Sequence, residues 1–137
     1  MKFEEILKKS YAKKIPPNKF RAENLIKSAN QAIETAKIIP INEKTSKTIF
    51  RELYEGLREY CEAIGYMKGY KFQSHETITH FIEEILKSKE IANKFDRYRK
   101  IRNKINYYGE SIEKETVNDA LKEIPKIIKK LKKFFSP

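Results

Sequence analysis

Phe50, Leu53, Leu57, Tyr60, Ile64 and Met67 follow one another at steps of three and four. That spacing lays six apolar side chains on one side of a helix, and no strand could do the same. The stepping recurs in Ala22, Ile26, Ala29, Ile33 and Ala36, where the small residues allow close helix approach. Ile78, Phe81, Ile82 and Ile85 repeat it, as do Val117, Ala120, Ile124, Ile128 and Leu131. A short opening helix uses Phe3, Ile6, Leu7 and Tyr11 and ends at Pro16 and Pro17. After Pro40 the long helix fails in the glycine-marked turn GYMKGYKFQ, and Ser74 looks like the N-cap of the next helix. A fifth helix is expected from about Glu90 to Tyr108, stopped by Gly109. Thr116 and Asp119 resemble a capping box for the last helix, which Pro125 should interrupt and kink. No strand alternation, internal repeat or linker is visible. The expectation is an all-α antiparallel bundle of about five to six helices, one domain over 1–137, with a short N-terminal helix (1–15) as an appendage.

Composition agrees. Four glycines, five prolines and 36% charged residues suit a helix-rich globular chain of 137 residues, long enough to bury a real core. The lone Cys61 sits among apolar residues without a partner, which points to a buried structural thiol and a reducing, cytoplasmic setting. No signal peptide or membrane span is legible. Abundant Lys, Glu and Ile beside only two glutamines point to a thermophilic source.

The net charge of +11 is unevenly placed. Residues 1–21 carry seven Lys/Arg against two Glu, 94–105 six against Asp96, and 121–135 six lysines against Glu123. Residues 22–93 nearly balance, with ten basic and eleven acidic. A polyanion such as RNA is the natural partner for such clusters. Plain solvated helix faces, the Lys126–Lys133 run among them, are the bland alternative.

The fifth helix holds one oddity. Phe95, Tyr98, Arg102 and Ile105 step by three, four and three, so an arginine stands on the apolar stripe. A permanent charge with five donors is costly to turn inward without a partner or a task. A salt bridge to Glu52, Glu55, Glu59 or Glu62 on the long helix would satisfy it structurally. Neighbouring Arg97, Arg99, Asn103, Asn106, Tyr107 and Tyr108 are candidates for phosphate or base contact, with helix-end hydrogen bonding and aromatic packing as the bland alternatives.

The order of elements resembles a HEPN domain (higher eukaryotes and prokaryotes nucleotide-binding), over roughly residues 18 to 135. The pieces that carry the likeness are the glycine turn running into SH, in GYKFQSHETITHFI, then a helix ending RNKINYYG, then a long charged terminal helix. The resemblance implies a homodimer, with two such helices meeting at its interface. In many members these helices form a metal-independent ribonuclease whose motif is an arginine followed, after four to six residues, by a histidine. The arginine corresponds to Arg102 and the polar residue after it to Asn103. Tyr107 stands where the histidine is due, and Gly109, beside Tyr108, where a tyrosine is frequent. A phenol with an ordinary pKa near 10 is a poor base at pH 7. The implied module therefore binds RNA or nucleotide phosphates around Arg102 and is catalytically reduced.

Two alternatives stay open beside it. One is an active metal-independent endoribonuclease, the toxin of a toxin–antitoxin pair, with Tyr107 or another group in place of histidine. The other is a protein-interaction partner of a nucleotidyltransferase-type antitoxin. No cofactor motif occurs, and His75 and His80 are five apart, a spacing that suits no metal pair. His75 is expected to support the helix start or an interface rather than to replace the missing histidine.

Overall fold

The computed structural model describes residues 1–135. Six helices dominate: α1 (Phe3–Lys8), α2 (Lys19–Ile38), α3 (Ser46–Lys68), α4 (His75–Glu84), α5 (Lys89–Tyr108) and α6 (Lys114–Leu131), with a closing 3-10 turn at Lys132–Phe134. Two three-residue strands, β1 (Ala12–Lys14) and β2 (Tyr70–Phe72), were not expected from the sequence.

The long helix α3 is the axis of the bundle. Its stripe of Leu53, Leu57 and Ile64 is fully buried, flanked by Phe50 and Tyr60. α2 lies close against it through Ala29, Ile33 and Ala36. The approach leaves no room for a side chain at Gly56, since a β-carbon there would stand 2.7 Å from Ile33 Cδ1 and 3.0 Å from the Ala29 carbonyl. Such a contact lies well inside van der Waals separation, so the α2–α3 spacing depends on that glycine.

Helix ends follow local chemistry, though not always at the expected residue. Asn18 caps α2 by accepting from the Arg21 N–H at 3.0 Å, and Ser88 caps α5 by accepting from Ile91. Gly109 closes α5 in the left-handed region at φ 65°, as its position suggested. Ser74 holds the N-cap position of α4, but its side chain accepts no capping bond; instead the Thr77 hydroxyl donates to the Ser74 carbonyl at 2.7 Å. α6 starts at Lys114, two residues before Thr116, so the capping box does not form, and the helix runs on through Pro125.

The first fifteen residues are woven into the body. The opening helix stops at Lys8, and β1 then pairs antiparallel with β2, Ala12 opposite Phe72 and Lys14 opposite Tyr70. Phe3 and Ile6 are buried in the main core, with the Phe3 ring 5.4 Å from that of Tyr70 and 5.9 Å from that of Phe81. The segment read as an appendage is thus core material. The strand pair has a second effect: the Gln73 N–H donates to the Tyr11 carbonyl at 2.9 Å, which pins the entry to α4. Among the described residues, no helix is long and apolar enough to cross a membrane.

Candidate functional site

α5 packs Phe95, Tyr98 and Ile105 into the core, and Arg102 lies half-buried on that same stripe. Its guanidinium carbon stands 5.7 Å over the ring of Tyr54, a buried residue of α3. A cation above an aromatic face is attracted by the ring's quadrupole, which compensates part of the lost hydration. The Arg102 Nη1 also donates to Asn103 Oδ1 at 3.3 Å. Among the described residues it has no carboxylate partner. Of the four glutamates expected to neutralise it, Glu55 and Glu62 are engaged by Arg58 of α3, and neither Glu52 nor Glu59 pairs with Arg102 among the described residues.

Arg102 opens into a cleft of about 370 Å³, lined by Gln73, Ser74, His75, Glu76, Arg99, Arg102, Asn103 and Tyr107. The cleft therefore joins the start of α4 to the last turns of α5. Arg99 enters with its charge partly met, since Nε and Nη2 both donate to Asp96 Oδ1 at 2.9 and 2.8 Å. Burial pushes the Asp96 carboxyl up, yet Arg99 and Lys100 hold it below its ordinary range. Tyr107 stands 70% exposed at the cleft, its ring open to a planar partner.

His75 is the member whose place there sequence reasoning missed. Its Nδ1 lies 2.9 Å from the Tyr54 hydroxyl, so one buried tyrosine meets both His75 with its oxygen and Arg102 with its ring face. Burial lowers the His75 pKa to about 4, aided by the cations Arg58 and Arg102, opposed by Glu55, and aided again by Arg99. The imidazole is thus neutral at pH 7. Burial pushes the Tyr54 phenol up, so it keeps its proton. The available signal was the SH pair after the glycine turn; Tyr54, between Leu53 and Leu57, carried no signal except as core.

The other predicted residues fall elsewhere. Asn106 accepts from Arg51 Nε at 2.8 Å, which ties α5 to α3 outside the cleft. Tyr108 is 78% exposed and does not line the cleft. Arg97 faces a second cleft of about 400 Å³ between α5 and α6, with Lys94, Asp119, Lys122, Glu123, Lys126, Ile127 and Lys130. There three of the five cations are answered by carboxylates, while Lys122 and Lys126 stand exposed. Glu123 meets Lys94 at 3.4 Å and Arg97 at 3.9 Å, Lys130 meets Glu90 at 2.9 Å, and the Tyr98 hydroxyl donates to Glu123. The Tyr98 hydroxyl and Lys94, joined by Arg97, hold the Glu123 carboxyl below its ordinary range against burial.

Chemically, the first cleft offers a forked cation, a second guanidinium, an imidazole, an amide and an open aromatic ring. Such a set suits an oxyanion, a phosphate above all. Among the described residues no three His, Cys, Asp or Glu converge to hold a metal ion. Comparison of the chain with family models, with curated proteins and with solved structures gives no match.

Proposed function

We propose that this chain is a HEPN-like module that acts as a homodimer and binds RNA or nucleotide phosphates through the Arg102 cleft, with its cleavage chemistry reduced. The observation that carries this reading is Arg102 itself: half-buried, without a carboxylate partner among the described residues, held over Tyr54 and lining an open cleft. An arginine kept for packing would be expected to take a glutamate, and four stand on the adjoining helix α3. Charge concentrated in 94–105 supports a polyanionic ligand. Tyr107 in place of histidine supports binding without turnover.

The test is incubation of purified protein with mixed single-stranded and structured RNA in EDTA, beside an Arg102→Ala variant. The reading expects intact RNA, shifted on a gel by the wild-type protein alone, and a dimer in sedimentation. Arg102-dependent cleavage would instead make the chain a metal-independent ribonuclease, a reading favoured by one observation: a histidine, His75, does line the cleft although none stands at position 107.

A further inference from the structure

The cleft histidine has its tautomer set by its surroundings. The Tyr54 hydroxyl is buried and, among the described residues, has one polar partner, His75 Nδ1. A buried hydroxyl proton needs an acceptor, and Nδ1 is the acceptor within reach. Were Nδ1 protonated, the imidazole would donate to the tyrosine oxygen and leave the phenolic proton unsatisfied. Nδ1 is therefore bare, and a neutral ring then carries its hydrogen on Nε2. Nε2 makes no hydrogen bond among the described residues. His75 lines the cleft with Arg99, Arg102 and Asn103, while its Nδ1 edge is turned to the buried tyrosine.

Building on the RNA-binding reading of the same cleft, we infer that His75 is a fixed hydrogen-bond donor for a phosphodiester oxygen, presenting Nε2–H beside the Arg102 guanidinium, and that Tyr54 is the residue that positions it. The ligand class that follows is a single strand of nucleic acid. One phosphodiester takes the Arg102 fork and the imidazole donor, and the adjoining base reaches Tyr107. In this tautomer the nitrogen left to the cleft is already protonated, so it cannot accept the 2′-hydroxyl proton. His75 then helps to bind and does not start cleavage. Burial adds to this, with Arg58, Arg102 and Arg99, because each disfavours a cationic ring that could act as an acid.

The experiment is a binding titration with a fluorescein-labelled single-stranded oligoribonucleotide of about ten residues, together with nitrogen NMR of the imidazole in the wild-type protein. His75→Phe should weaken binding about tenfold, whereas His75→Gln, whose amide nitrogen can stand near the place of Nε2, should keep most of the affinity. Arg102→Ala serves as the control for the cleft itself and should lose about a hundredfold. NMR of the wild type should show the Nε2–H tautomer, and Tyr54→Phe should release it into a mixture. Should Arg102→Ala lose affinity while His75→Phe binds as well as wild type, the donor role falls and the cleft reading stands. Binding unaffected by either substitution overturns both. An Nδ1–H tautomer in the wild type overturns the donor role whatever the affinities.

Discussion

Two clefts flank α5, similar in volume and both rich in cations, yet they differ in how those cations are used. The α5–α6 cleft has the greater number of basic side chains, but Glu123 and Glu90 answer Lys94, Arg97 and Lys130, and the other two, Lys122 and Lys126, are exposed to solvent rather than half-buried like Arg102. The α4–α5 cleft has two arginines, and one of them, Arg102, has no counter-ion among the described residues. The difference teaches that the count of positive residues along a sequence is a poor guide to where an anion will settle. Charge already met by a carboxylate has little left to offer, while a desolvated, unpaired guanidinium has much to gain.

The largest expected contrast is in affinity. Arg102→Ala should lower affinity for single-stranded RNA about a hundredfold, measured by fluorescence anisotropy at fixed salt, and lessen the dependence on log salt by about one unit. An equal loss from Arg97→Ala would erase the distinction between the clefts. Next comes the structural role of the paired cleft: Glu123→Ala leaves the Tyr98 hydroxyl without its acceptor and should cost about 1–3 kcal/mol in urea unfolding. The same substitution frees Arg97 and leaves Lys94 with Glu90 alone, so RNA affinity should rise modestly rather than fall; a marked fall would place the ligand on the α5–α6 side.

A smaller effect concerns pH. His75 is neutral in the fold with its pKa lowered from 6.5 to about 4, so between those values the unfolded chain binds more protons than the folded one. Stability should therefore decline as pH falls from 6.5 toward 4, and His75→Gln should flatten that decline in thermal melts. The carboxyls of Asp96 and Glu123, held below their ordinary values, lose their contribution at lower pH, mostly below about 4.5. A decline unchanged by His75→Gln would mean that the imidazole is not held neutral. The smallest effect belongs to Lys126→Ala, which should alter RNA affinity no more than about two- to threefold, since an exposed lysine there contributes only to the general field.

Much of the bundle was legible in the sequence because each helix repeats its apolar stripe over several turns. Arg102 was legible for the same reason, as an intrusion on such a stripe. The strands were not, since three residues such as YKF are too short to show alternation and sit where glycine marks a turn. The opening segment was misjudged because Phe3 and Ile6 bury themselves against Tyr70 and Phe81, residues far along the chain. Arg97 and Arg99 read alike in sequence, but two helical steps turn side chains about 200° apart, and they enter different clefts. His75 comes to share a cleft with Arg102 where the start of α4 meets the end of α5, a start that the β1–β2 ribbon and the Gln73–Tyr11 bond help to hold. That juxtaposition is tertiary, and no local pattern encodes it.

Chemical-shift mapping of the labelled protein, titrated with single-stranded RNA, bears most directly on which cleft holds the ligand. Perturbations centred on His75, Arg99, Arg102, Asn103 and Tyr107, with Lys122, Lys126 and Lys130 little changed, are the predicted result. Perturbations centred on the α5–α6 cleft, with the Arg102 surroundings still, would contradict it.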